Sequence, residues 1–110
     1  MSPKRIGFLI YPAMQALDLV GPMDAFSAVT LADGKGRRRH GYEVLTIGFD
    51  AKPVPAESGL LLTPQFTTAT APKLDTLVIP GGSMGELRAL GTDFQVRPDA
   101  RVVGNGRVIT

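Results

Sequence analysis

Two residues without side chains end an apolar run in the stretch LDTLVIPGGSMGEL, residues 74–87. Gly81 and Gly82 follow Pro80, and Ser83 and Gly85 come before a helix-like segment. Glycine lets the backbone reach positive φ and leaves N–H groups open to a ligand. Amides bared just ahead of a helix form an anion or oxyanion pocket. The other reading is a plain strand-to-helix turn in which glycine serves sterics alone. Residues 81–85 also match G-x-S-x-G, a strand-to-helix elbow on which Ser83 would attack a carbonyl. That elbow takes its histidine from downstream, whereas the single histidine of the chain, His40, lies upstream in a basic loop. Asp18 is the second polar residue of interest. Between Leu17 and Leu19, near a helix start, its carboxylate is either an N-terminal cap or a general acid/base.

Composition narrows the chemistry. The 110 residues suit one domain or part of one, and 44% hydrophobic with 20% charged residues and a mean hydropathy of +0.11 is a globular make-up. Aromatics are 6% and Trp is absent, so the core is aliphatic. No cysteine occurs in these residues, which excludes from them a disulfide frame, a thiolate metal site and a thiol nucleophile. Nothing in the sequence calls for a metal or another cofactor. The net charge of +2 is local: without Lys35, Arg37, Arg38 and Arg39, the 12 cations become 8 against 10 anions, a balance of −2. That cluster is either a phosphate contact or a solvated loop, and with no interleaved aromatic it makes no case for direct nucleic-acid binding. No apolar run is long enough to span a membrane. The N-terminal MSPKRIGFLIYP reads as a first strand rather than a leader, and the expected compartment is the cytoplasm.

The elements that must position these residues follow from pattern. Residues 6–10 are apolar on both faces, as in a central parallel strand, and Tyr11 with Pro12 stops them. QALDLV reads as a tight turn, and Gly21 with Pro22 as a helix start, with Met23, Phe26 and Val29 on one stripe and Asp33 with Gly34 at its end. Residues 42–49 form a second strand. Residues 59–63 form a short one that can pair with 53–56 as an outlying hairpin, and 76–79 are a buried strand. A short helix is expected over 83–90. The tail ARVVGNGRVIT carries an Asn-Gly pair between β-branched runs, the signature of a hairpin. Strands alternating with a helix predict a parallel sheet with right-handed crossovers. Ligands of such sheets sit beyond the carboxyl ends of the strands, where the loops after the first strand and after Ile79 both fall.

Three stretches together, RIGFLIYPAMQALDLVGPMDAF, YEVLTIGFD…ESGLLLTP and LDTLVIPGG, resemble the ThiJ/PfpI superfamily with its class I glutamine amidotransferase-like fold. The LDLVGP-type turn is similar to that of the isonitrile hydratase branch. It is also similar to the amidotransferase-like sensor domain of AraC-type transcriptional regulators. The resemblance runs over residues 5–88, and PDARVVGNGRVIT resembles a hairpin that comes later in that family. It implies an α/β fold: a parallel sheet with flanking helices, an incomplete flavodoxin-like sandwich, with a C-terminal β-hairpin. The chain would then be one domain, 1–110. Residues 1–90 supply the N-terminal part of the fold and 98–110 the later hairpin, with the cysteine-bearing elbow missing between them.

By this resemblance Asp18 matches the acid that contacts the family's catalytic cysteine. Gly82, with Gly81, matches the turn whose backbone amide forms half of the oxyanion hole. Ser83 lies in that turn and is not the family nucleophile. The implied function is that of a domain related to small-molecule hydrolases and hydratases, inactive for want of the cysteine. The alternatives are a ligand-sensing or dimerisation domain of an AraC-type regulator and, with less support, a serine hydrolase using Ser83. A small-molecule ligand at Gly81, Gly82 and Ser83 and a homodimer are the expected partners.

Overall fold

A computed structural model describes residues 3–82 and the backbone of 101–104 and 107–109. In chain order the elements are β1 (Lys4–Ile10), α1 (Ala16–Ser27), β2 (Thr30–Ala32), β3 (Arg38–His40), β4 (Tyr42–Gly48), β5 (Val54–Pro55), β6 (Leu61–Leu62), β7 (Phe66–Thr67), β8 (Thr76–Ile79), β9 (Arg101–Gly104) and β10 (Arg107–Ile109).

β1 lies centrally in a six-stranded sheet of order β10-β9-β8-β1-β4-β7. It pairs in parallel with β4, from Lys4↔Tyr42 to Ile10↔Gly48, and with β8, from Ile6↔Thr76 to Phe8↔Val78. β7 runs parallel to β4 and β9 parallel to β8, so among the described strands of this sheet only β10 is antiparallel. The unbroken apolar run of β1 is what a strand covered on both faces requires, and its burial deepens toward its C-terminal end. Phe8, Leu9, Ile10, Tyr11 and Met14 are the largest fully buried side chains. Among the described residues, the fully buried large side chains thus gather where β1 ends and the following turn begins. The tail hairpin forms, with Arg107 opposite Gly104, and joins the sheet through β9 beside β8. The outlying hairpin forms between β5 and β6.

Two boundaries differ from expectation. The first helix starts at Ala16 rather than at Gly21 and Pro22, which fall inside it. Leu19 is the reason: 2% exposed, it draws the first turn onto the core, beside half-buried Ala16, Met23 and Phe26. Tertiary packing thus outweighs the helix-breaking tendency of glycine and proline. Phe26 meets Tyr42 of β4 edge to face, with centroids 5.0 Å apart. The same helix ends at Ser27, short of Asp33 and Gly34. Those two residues instead turn an antiparallel hairpin, β2 against β3. Asp33 Oδ1 accepts the N–H groups of Lys35 and Arg37 at 2.8 and 3.2 Å, and Gly34 and Gly36 take φ of +79°. The basic cluster is therefore part of a structured hairpin, in which Arg37 pairs with Asp33 and Arg38 donates to Thr30 Oγ1. The helix expected over 83–90 lies outside the described residues.

Gly21 sits inside exposed helix with nothing within 4 Å of where a Cβ would lie. Gly21→Ala is expected to raise stability by about 0.5–1 kcal/mol in urea unfolding, because alanine loses less backbone entropy in a helix.

Candidate functional site

The carboxyl ends of β1, β4 and β8 define one rim of the sheet. Beyond β1 the chain turns through Tyr11, Pro12, Ala13 and Met14 into α1. Ala13 is the positive-φ non-glycine among the described residues, at 65°. A left-handed alanine costs about 1–2 kcal/mol, so neighbours must hold it. They do: Ala13 N–H donates to Pro55 O at 2.9 Å, Glu57 N–H to Met14 O at 2.8 Å, and Gln15 N–H to Gly81 O at 2.8 Å. The turn is thereby tied to the β5–β6 hairpin on one side and to the Gly81 turn on the other.

These ties place Asp18 in the first turn of α1, where the helix dipole favours a carboxylate. Asp18 does not cap that helix. The capping position is Gln15, which makes no side-chain cap bond. The Asp18 carboxylate reaches across instead, and its Oδ2 accepts the N–H of Gly81 at 3.1 Å. Gly82 lies opposite Met14 in an isolated antiparallel bridge. A Cβ there would stand 2.7 Å from Met14 Cα, 2.8 Å from Tyr11 Oη and 2.9 Å from Ala13 O. Close approach of two backbones thus requires glycine at position 82. Its own N–H meets no acceptor among the described residues.

The structure thus brings Asp18, Gly81 and Gly82 together, with the acid bonded to the Gly81 amide rather than to that of Gly82. Ser83 lies outside the described residues. His40 does not join them. It ends β3 just ahead of β4, at the opposite rim, about 20 Å away along a seven-residue strand.

Sequence reasoning passed over one participant. Tyr11 looked like a strand stop. It is fully buried, and its hydroxyl donates to Pro80 O at 2.6 Å. The available signal was an aromatic with a polar tip at the end of a buried strand, since such a tip needs an acceptor inside. Burial first, and then the Asp18 charge, push the Tyr11 phenol above its ordinary 10.0. The folded chain holds this proton more tightly than the unfolded chain does. Tyr11 stability is therefore fully present below pH 10.0 and is lost as pH rises beyond it. The urea midpoint is expected to fall above that pH in the natural chain and to fall less in Tyr11→Phe. Equal falls in both would remove Tyr11 from the explanation.

Among the described residues no group of three or more His, Cys, Asp or Glu could hold a metal ion, and no helix is long and apolar enough to cross a membrane.

The model of the DJ-1/PfpI family matches residues 4–96. Isonitrile hydratase of Pseudomonas putida is 37% identical over 79 residues, covering 72% of this chain and 30% of the relative. A THiJ/PfpI family protein from Pseudomonas syringae superposes with a TM-score of 0.64 at 32% identity, over 81% of this chain and 33% of that one. An AraC family transcriptional regulator from Pseudomonas putida superposes with a TM-score of 0.56 over 96% of this chain and 82% of that one. At 16% identity, this last likeness concerns the fold alone. The chain spans about a third of the length of the hydratase and of the Pseudomonas syringae protein.

Proposed function

Because the chain belongs to the DJ-1/PfpI family, we propose that it carries the acid-and-amide half of a small-molecule hydratase or hydrolase site and performs no thiol-dependent turnover by itself. The observation that carries this reading is the Asp18 carboxylate bonded to Gly81 N–H at 3.1 Å, beside a Gly82 N–H that meets no acceptor among the described residues. Asp18 and Gly82 are the residues acting on a bound carbonyl-type group, with Gly81 and, from the sequence, Ser83 as the further ligand-binding residues. The 110 residues contain no cysteine. Without a nucleophile no tetrahedral or imidate-like species forms, so an oxyanion donor has no developing charge to stabilise.

The test follows from the relatedness to isonitrile hydratase. The 110-residue protein is incubated with small isonitriles and carboxamides, and product is followed by proton NMR. The expected rate equals that of buffer. Turnover that survives Ser83→Ala and disappears in Asp18→Asn would overturn the proposal. Binding without turnover is the positive result, read as a rise in Tm with a small carboxamide that is lost in Asp18→Ala.

Lack of a nucleophile also favours the second reading, a ligand-sensing or dimerisation domain of an AraC-type regulator. A DNA-binding region in the same reading frame would support it, and sedimentation of the chain as a monomer would count against the homodimer. A serine hydrolase using Ser83 has less support, because the one histidine sits at the far rim; no labelling by a fluorophosphonate probe is expected.

A further inference from the structure

Two consecutive peptide units in the turn after β8 are held from outside. The first joins Pro80 to Gly81. Its carbonyl accepts the Tyr11 hydroxyl at 2.6 Å, and its N–H donates to Asp18 Oδ2 at 3.1 Å. Carbonyl and N–H point in opposite directions in a trans peptide. Bonds at both ends therefore define the orientation of the plane, which one bond alone would leave free to swing. The second unit joins Gly81 to Gly82, and its carbonyl accepts Gln15 N–H at 2.8 Å. Glycines on either side of a peptide make its rotation intrinsically easy. An amide meant to serve as a fixed donor cannot sit in such a turn unless something removes that freedom.

We propose that Tyr11 is a positioning residue: together with Asp18 it clamps the peptide between Pro80 and Gly81, so that the turn is held in one orientation and the Gly82 N–H, without an acceptor among the described residues, is presented as its donor. The phenol reaches Pro80 only because position 82 has no side chain; a Cβ there would stand 2.8 Å from Tyr11 Oη. Tyr11 and Gly82 are thus a matched pair. Phenylalanine at position 11 would fill the same volume and supply no bond. The titratable groups on the elements packed around the turn are Tyr11 at the end of β1, Asp18 on α1 and Glu57 in the β5–β6 hairpin. The clamp stands on geometry alone. Only the ligand at Gly82 rests on the functional reading above.

The experiment is amide exchange by NMR on the isotope-labelled 110-residue chain. In Tyr11→Phe the Gly81 amide is expected to exchange about tenfold faster, while Leu9 and Val78 stay within about twofold. Asp18→Asn keeps an acceptor and should retain Gly81 protection; Asp18→Ala should lose it. Unchanged Gly81 exchange in Tyr11→Phe overturns the clamp, as does acceleration of all amides together. If Tyr11→Phe does not fold, the natural chain decides: a resolved, slowly exchanging Tyr11 hydroxyl proton supports the clamp, and free exchange with water sinks it. Neither outcome bears on turnover, so the failure of the functional reading remains separately visible.

Discussion

Phe8→Ala is expected to bring the chain close to the point of unfolding at 25 °C. Phe8 is 0% exposed and stands at the middle of the sheet, opposite Thr46 of β4 and Val78 of β8. Truncating a fully buried phenylalanine costs about 3–5 kcal/mol in lost transfer energy plus the cavity left behind. Domains of this size are stable by about 5–15 kcal/mol, so most or all of a modest reserve disappears. The urea midpoint should fall by roughly 2 M. Leu61→Ala, at a side chain 66% exposed, should change stability by no more than about 0.5 kcal/mol. A Phe8→Ala effect below about 1 kcal/mol would mean that β1 is not the central strand.

Gly82→Ala is expected to destabilise the chain by about 1–3 kcal/mol and to displace the candidate site. The added methyl would stand 2.7 Å from Met14 Cα and 2.9 Å from Ala13 O. These are backbone atoms, so no rotamer change relieves the contact. The turn carrying Gly81 and Gly82 must move away from β1, drawing the Pro80 carbonyl from Tyr11 and the Gly81 amide from Asp18. The check is paired: a lowered urea midpoint and a changed Gly81 amide shift in the same variant. Full stability with an unmoved Gly81 signal would show that the two turns are not in contact. Gly7→Ala makes a useful comparison. Its Cβ would meet Leu74 Cδ1 at 2.6 Å and Ile47 Cδ1 at 2.8 Å, which are side-chain ends able to shift.

Where local signals agreed with each other, they were legible. The uninterrupted apolar runs of β1 and β8 indicated a parallel sheet, and the Asn-Gly pair indicated the tail hairpin. Where one dipeptide had two local uses, they were not. Asp33 with Gly34 can end a helix or turn a hairpin. The choice fell to β2 pairing with β3, a contact between residues 6–10 positions apart. Gly21 and Pro22 looked like a helix start because their local cost is real. Burial of Leu19, one turn earlier, outweighs it. The second, less recognisable partner of the glycine turn, Tyr11, is separated from Pro80 by 69 positions, and no spacing rule links them.

The sequence by itself determined the class of fold and the absence of a thiol from these residues, and it singled out the two turns around Asp18 and Gly81. Those properties follow from composition and from patterns a few residues long. Tertiary structure alone decided that the acid meets the amide of residue 81, that Tyr11 holds the other end of the same peptide, and that position 82 has no room for a methyl group. Each depends on distances between β1 and β8, set when parallel strands far apart in the chain come into register, and such distances have no local signature.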